Sequence, residues 1–502
     1  MPAAYCSSYG FSYIGASKRG WEADRLANRR SLYAVLVLCS GLVASTSAHE
    51  TLRASVSRNH GAVEASNPPL LHNISKLPHT VEVNLTAAVT KLSLQPGVTS
   101  EVFAYNGHVP GPTLDVREGD RVIIHFKNNL PEATTVHWHG IHLPFESDGS
   151  PFQPIQPGES HDYAFTVRRG TAGTYWYHPH PDRRTGFAIG KGLFGAIVVH
   201  APDDPLPAMN EKLLILSDNR FLSDGTIDFP DPASQHGGID EENGREGPVF
   251  FVNGQVMPTI SIRSGEIQRW RVINSSAGRI FRVALAGQTM LQVGTDGGLF
   301  EKPVAIKELI LATGERAELL VKGGAAGSRT LLQNLPYDRY SPNTRPADWN
   351  VTRDLLTLET TSQLPASPIA IPTSLRKVIP LDTTKVTAVR TIVFGQGIIN
   401  GHTMDMARVD VSTHVGATEI WEITNVVGMD HPFHLHGFQF QVLDRDGVKE
   451  PYLAWKDMLN IPKHTTARII VRYDDYPGKW MFHCHILDHE DHGMMGVLEV
   501  KP

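Results

Sequence analysis

A ten-residue block that occurs three times along the chain constrains the fold more than any other feature. Gly119-Asp120-Arg121-Val122-Ile123-Ile124-His125-Phe126-Lys127-Asn128 returns as Gly265 to Asn274 and again as Gly416 to Asn425. Glycine and asparagine stand nine positions apart in every copy, and an Asn-Gly pair precedes each one, at Asn106, Asn253 and Asn400. The offsets of 146 and 151 residues are domain-sized, so the self-similarity implies tandem copies of one domain. Apolar residues alternate inside each block, as in a half-buried strand. Gly, Asn and Pro recur roughly every ten residues, the spacing of an antiparallel sandwich. Long helical periodicity is absent. The expected fold is all-β: three tandem antiparallel β-sandwich domains.

The 502 residues divide accordingly. Residues 1–48 read as an export leader: Arg29-Arg30-Ser31, then the apolar run Leu32 to Leu38, then small residues Ala44 to Ala48 before a cleavage site. The paired arginines point to the twin-arginine route, and the apolar run is too short for a stable membrane span. Residues 49–70 form an N-terminal extension. The domains are expected at 71–205, 206–365 and 366–502, separated by Pro-rich Ala201–Pro207 and Ser/Pro-rich Thr361–Pro372. Gly237–Gly247, acidic and Gly-rich, reads as a surface loop with little bearing on function. The net charge of −6 comes without basic runs, so neither nucleic acid nor an anionic membrane is an expected partner. The expected location is periplasmic or extracellular, and the expected state a monomer.

The copies differ where chemistry would reside. Nine and eleven residues after the asparagine, the first copy has His137 and His139 and the third has His434 and His436, whereas the second has Val283 and Leu285. Later, Gly173-Thr174-Tyr175-Trp176-Tyr177-His178-Pro179-His180 parallels Gly478-Lys479-Trp480-Met481-Phe482-His483-Cys484-His485. Pro179 stands in the place of Cys484, and Leu193 in the place of Met494. Four His-x-His pairs at repeat-equivalent positions therefore offer eight imidazoles across the interface of the outer domains. Neutral imidazoles in that number can hold three copper ions with positions left open for oxygen.

Cys6 and Cys39 fall in the leader, so Cys484 is the one cysteine of the mature chain and no intrachain disulfide can form. A histidine five residues on (His489) and a methionine ten residues on (Met494) give it the ligand types of a blue-copper electron-transfer site, still short of one histidine. In extended chain His483 and His485 share one face while Cys484 points to the other, which joins that site to the eight-imidazole cluster.

The motifs HWHG at His137, HPH at His178, HPFHLHG at His431 and HCHILDHEDHGMM at His483 resemble the four ligand loops of the multicopper oxidases. The resemblance implies three tandem cupredoxin-like Greek-key β-sandwich domains and four coppers per chain. It supplies His431 as the missing type 1 ligand beside Cys484 and His489, with Met494 axial. It assigns His137 and His434 to type 2 copper, and His139, His178 and His485 to one type 3 copper. His180, His436 and His483 go to the other. It also associates Glu490 and Asp148 with proton delivery to the oxygen site. Asp488 and Asp491 read as solvated or capping, and His108, His125, His142, His464 and His492 as ordinary histidines.

The implied activity takes four one-electron oxidations of phenolic or similar donors at the cysteine site and uses them to reduce dioxygen to water. Cuprous-ion oxidation in copper tolerance and bilirubin-oxidase-like activity are alternatives. No methionine-rich insertion is present, although Met404, Met406 and Met429 are candidates for a small cuprous-ion site and otherwise read as core or pocket lining. A copper-free scaffold with an interaction role is disfavoured because every ligand position is filled.

Overall fold

Each Asn-Gly pair makes the same turn. Asn106, Asn253 and Asn400 have φ of 49°, 54° and 51°, and the glycines that follow have φ of 77°, 74° and 80°, the left-handed pair that a tight hairpin needs. Each asparagine side chain accepts a hydrogen bond from the backbone N–H of the copy's first strand: Thr86 at 2.7 Å, Ile215 at 2.8 Å and Val393 at 2.7 Å. The asparagines that close the repeated block are fully buried. Their amides donate to backbone carbonyls on two segments, Glu132 and Ile155 for Asn128, Arg279 and Leu311 for Asn274, Met429 and Ile461 for Asn425. A buried amide with its donors satisfied pins a loop that would otherwise bury unpaired carbonyls.

The computed structural model describes residues 63–229, 235–365 and 367–502. The leader and cleavage site read from the sequence lie outside these residues. The repeated block is a central strand in every copy: Arg121–Asn129, Ile267–Asn274 and Thr418–Asn425. Each runs parallel to the copy's first strand, Thr80–Gln95, Asn210–Asn219 or Ala388–Gly395. Each is flanked on its other side by an antiparallel partner, Ser160–Thr166, Arg316–Lys322 or Thr466–Arg472. Six sheets result, in three pairs along the chain, with four and four, six and five, and five and five strands. The protein is thus all-β, with three cupredoxin-like sandwiches. Ile124, Trp270 and Trp421 occupy the same repeat position and all point into their own cores, each completely buried.

Residues just before the first sandwich strap it to the second. Ala65 N–H donates to Thr259 O at 2.7 Å, and Leu71 N–H to Thr113 O at 2.9 Å. Helix is confined to short pieces among the described residues: α1 (Thr185–Lys191), α2 (Gln235–Asn243) and α3 (Leu487–Asp491). No described helix is long and apolar enough to cross a membrane. The existence of α2 corrects the expectation of a surface loop over Gly237–Gly247. Its placement is described with the site.

Candidate metal centre

The two outer sandwiches present their histidines from equivalent strands in equivalent register. His137–His139 pairs with Gly173–His178 so that His137 faces His178, and His431–Leu435 pairs with Gly478–Cys484 so that His434 faces His483. The sandwiches meet with these faces together. His137 stacks on His436 with ring centroids 3.9 Å apart, and His139 stacks on His434 at 3.8 Å. All eight imidazoles of the four pairs are buried. Ring nitrogens lie within 4.8 Å of one another in three trios: His137, His139 and His434; His139, His178 and His485; His180, His436 and His483. The trios that the resemblance implied for the two type 3 coppers are the second and third of these.

Burial, followed by repulsion from neighbouring imidazoles, holds His180, His434 and His436 well below the usual histidine range. The same causes hold His139 and His178 low, and burial pushes His483 down to about 3. A neutral imidazole is the form that binds a metal, so the fold keeps these rings ligand-ready near neutral pH. Five of them give Nδ1 to an oxygen outside the cluster and turn Nε2 inward. His137 reaches Asp148 O at 2.9 Å, His178 reaches Pro179 O at 2.9 Å, and His434 reaches Asp457 O at 2.9 Å. His436 reaches Asp148 Oδ2 at 3.0 Å and His483 reaches Cys484 O at 2.9 Å.

Asp148 and Glu490 both lie against the cluster, in different ways. Asp148 touches His436 from Oδ2 and His137 from Oδ1 at 3.4 Å, so it fixes two rings across the domain interface. Glu490 is wholly buried, with carboxylate oxygens 3.3 Å from His180 Nε2 and 3.3 Å from His483 Nδ1. Burial pushes its carboxyl well above the ordinary range, so it holds a proton at a pH where a solvated glutamate has none. Asp491 does act as a cap, accepting from the N–H groups of Thr185 and Gly186 at the start of α1, and is half-buried. Burial raises it to about 8.

The fourth grouping is His431, Cys484 and His489, again within 4.8 Å. Cys484 Sγ lies 3.7 Å from His489 Nδ1 and accepts the Ile486 N–H at 3.4 Å. Met494 is completely buried in the same apolar cluster as Cys484. Burial raises the thiol and lowers His489 to about 4. A cation at this position favours the thiolate and so opposes the first of these effects.

Helix α2 of the middle sandwich covers this grouping. His489 Nε2 donates to the Glu242 carbonyl at 2.9 Å, and the Arg245 N–H donates to Asp488 Oδ2 at 2.7 Å. A Cβ on Gly244 would stand 2.3 Å from Ile486 Cγ2, so the chain approaches there as only glycine allows. The segment read as an idle loop is therefore the roof of the cysteine site, and Gly244 and Gly247 serve close packing. Of the three singled-out methionines, Met429 is fully buried in the third core, Met404 packs beside Met481 and Met495, and Met406 is exposed.

The residues fit copper. Both ring nitrogens of His485 and Nε2 of His431 are buried without hydrogen-bond partners among the described residues, as are both oxygens of Glu490. Orphaned buried nitrogens are costly unless a cation completes them, and the donor set of one thiolate, one thioether and imidazoles is that of a copper protein.

Known proteins decide the family. Three family models, each described as multicopper oxidase, match residues 86–204, 210–330 and 373–502. A multicopper oxidase of Staphylococcus aureus is 33% identical over 83% of this chain and 88% of its own length. The chain belongs to the multicopper oxidase family. A laccase of Bacillus subtilis is 27% identical over 80% of this chain and 90% of its own. The solved multicopper oxidase of Campylobacter jejuni, titled a metallo-oxidase, superposes with a TM-score of 0.80 at 33% identity, covering 88% of this chain and 96% of that one. This multicopper oxidase is accordingly a copper-dependent oxidoreductase that uses dioxygen as acceptor.

Sequence reading missed part of its site. The turn Thr313–Arg316 of the ligand-free middle sandwich enters the cluster, where Thr313 Oγ1 donates to His485 O at 2.6 Å. Asp457 contacts His139 Nε2 at 3.1 Å. Both contacts run between domains, and a comparison of the copies with one another does not show which residues meet across them.

Proposed function

We propose that electrons from a phenolic or similar donor enter at His431, Cys484, His489 and Met494, and that dioxygen is reduced to water among the eight histidines of the outer domains. The observation that carries this reading is the convergence of the four His-x-His pairs into trios one residue away from Cys484. Bound copper supplies one-electron acceptance at the cysteine and the four electrons that dioxygen needs at the cluster, while the chain sets geometry and excludes side reactions. On the expected assignment His137 and His434 hold type 2 copper, His139, His178 and His485 one type 3 copper, and His180, His436 and His483 the other.

Cys484 conducts through its own backbone to both flanking histidines, and the His483 ring is tied to the Cys484 carbonyl as well. Glu490, protonated by burial and in contact with His180 and His483, is placed to release a proton where oxygen is reduced. Asp148 holds His137 and His436 and orients them.

The donor cannot stack on His489, which is 3% exposed and hydrogen-bonded to Glu242 O. Beside α2 lies a cavity of about 420 Å³ whose walls include Asn243, Gly244, Tyr337, Tyr340 and Trp349. Its size and aromatic walls suit a planar phenol one peptide away from His489. Cuprous ion is the second reading, favoured by the similarity to the Campylobacter multicopper oxidase, a metallo-oxidase. The domain limits 71–205, 206–365 and 366–502, export to the periplasm or exterior, and a monomer whose sites lie within one chain complete the proposal.

Oxygen uptake by one copper-loaded preparation with a diphenol, bilirubin and cuprous ion tests it. An intense blue colour and turnover fastest with the diphenol are expected. A copper-replete protein that is colourless and consumes no oxygen with any of the three would overturn the site assignment.

A further inference from the structure

The middle sandwich holds no imidazole of the cluster, yet one of its side chains sits at the junction of all three. Arg316 is completely buried, and each of its five N–H donors has an acceptor. Nε donates to Thr174 O of the first sandwich at 3.1 Å. One terminal nitrogen donates to Gly314 O at 3.0 Å and to Asp457 Oδ1 at 2.7 Å; the other donates to Asp296 O at 3.1 Å and to Asp457 Oδ2 at 2.5 Å. The fork therefore grips the Asp457 carboxylate of the third sandwich with both arms.

Asp457 in turn serves two cluster histidines. Its carbonyl oxygen accepts from His434 Nδ1, and its Oδ1 meets His139 Nε2. That second contact is unlike the others at the cluster. His137, His178, His434, His436 and His483 all turn Nε2 inward, and for four of them an oxygen of the main chain holds Nδ1. His139 is reversed: Nδ1 faces His178 Nε2 at 3.2 Å, and Nε2 faces out. Its orientation depends on a side-chain carboxylate, which no sheet fixes and which is costly to bury alone. Gly314, with φ of 81°, closes the arrangement. A Cβ there would stand 3.1 to 3.2 Å from the rings of His485 and His139.

We infer that Arg316 is a positioning residue for the oxygen-reducing cluster, acting through Asp457 on His139 and His434. The inference rests on the proposed assignment of those histidines as copper ligands. It gives the middle domain a part in the chemistry although it has lost the ligands themselves. A lysine in place of Arg316 keeps the charge but not the bidentate fork, so the carboxylate would be neutralised without being aimed.

The test compares Arg316→Lys and Asp457→Asn with the parent as copper-loaded holoenzymes. The internal control is the blue absorption of the Cys484 site, which Arg316 does not touch and which should be unchanged in both variants. The type 2 electron paramagnetic resonance signal and the type 3 near-ultraviolet band should weaken. Cluster copper should pass to a chelator about 10- to 100-fold more readily, as for other groups that orient metal ligands. The kcat for oxygen uptake should fall while the donor KM stays the same. Full type 2 and type 3 signals with parental kcat in Arg316→Lys would overturn the inference. So would equal loss of the blue band and the cluster signals in both variants, the mark of a purely structural strut. If Arg316→Lys does not fold, Asp457→Asn decides alone by the same readouts. A parent that loads copper but takes up no oxygen would break the proposed function instead, and leave the spectroscopic comparison standing.

Discussion

The turns His178-Pro179-His180 and His483-Cys484-His485 are built alike and do different work. In both, the first imidazole donates Nδ1 to the carbonyl of the middle residue at 2.9 Å. Both flanking rings point into the common cluster, and both turns lead through a short helix, α1 or α3, to a Gly-x-x-Gly strand start. The difference is confined to the opposite face. In the first sandwich Leu193 lies in the core at the repeat position of Met494, and Thr134 precedes His137 by the same three residues that separate His431 from His434. Around Cys484 stand His431, His489 and Met494. An alternating backbone lets one face evolve a thiolate site while the other keeps its imidazoles. On the proposed assignment, the arrangement of the eight imidazoles should not depend on the cysteine.

The strongest way to break that comparison is Cys484→Ser. Blue colour and oxygen uptake should both be abolished, while the type 2 resonance signal of the cluster persists because both flanking histidines keep their backbone-tied geometry. Loss of the cluster signal together with the blue band would mean that the two faces are not independent. The reciprocal substitution, Pro179→Cys, should produce no blue band, since the repeat-equivalent positions of the first copy hold Leu193 and Thr134 in place of Met494 and His431.

Glu490 sharpens the comparison from between the turns, because it touches one imidazole from each. Glu490→Gln keeps the shape and removes the exchangeable acid. Copper content and colour should be parental, and kcat should fall by about 10²- to 10⁴-fold, the usual contribution of a positioned acid. An unchanged kcat in stopped oxygen-uptake assays would remove Glu490 from the proton supply.

The copper-stripped protein should show the same division as a pH effect. His489 and His483 have folded-state values of about 4 and about 3, below the unfolded value near 6.5. Their contribution to stability is complete above that unfolded value and is lost as pH falls towards the folded ones, because the unfolded chain then binds more protons. His489 alone accounts for roughly 3 kcal/mol across that window. Asp491, raised to about 8, has the opposite sign: its stabilising effect is present at low pH and is lost as pH rises through that value. Calorimetry on the stripped protein should give a Tm that falls steeply from pH 7 to pH 4. A flat profile would mean that the neutral burial of the imidazoles does not outweigh the opposite effect of Asp491 in this window.

How much of this was legible in the sequence follows the repeats. The Asn-Gly turns, the central strands and the His-x-His pairs are local patterns copied between domains, so a comparison of the chain with itself exposes them. Val283 and Leu285, apolar where the outer domains have histidines, are in the middle core as that comparison implies. What escaped are contacts between domains. Glu242 over His489 and Arg316 on Asp457 join residues 247 and 141 positions apart, with no period to betray them. The α2 segment misled because its acidic and Gly-rich composition is that of a solvated loop. Close packing against Ile486 and Gly278 is what Gly244, just beyond the helix, serves.

The mildest probe makes one turn resemble the other. Met494→Leu installs the residue type that domain one has at Leu193. A Met-to-Leu exchange conserves volume, so the fully buried site should lose less than about 1.5 kcal/mol of stability. His431, Cys484 and His489 would still hold copper, and the blue band should survive. A thioether is a weak axial donor that favours the oxidised ion, so its removal should raise the type 1 reduction potential. A higher potential weakens the drive from cysteine site to cluster while easing oxidation of the donor, and the balance decides the sign of the change in kcat. The redox titration of the blue band is therefore the clean readout. An unchanged or lower potential would show that Met494 packs in the core as Leu193 does, and that the two turns differ by a cysteine and two histidines alone.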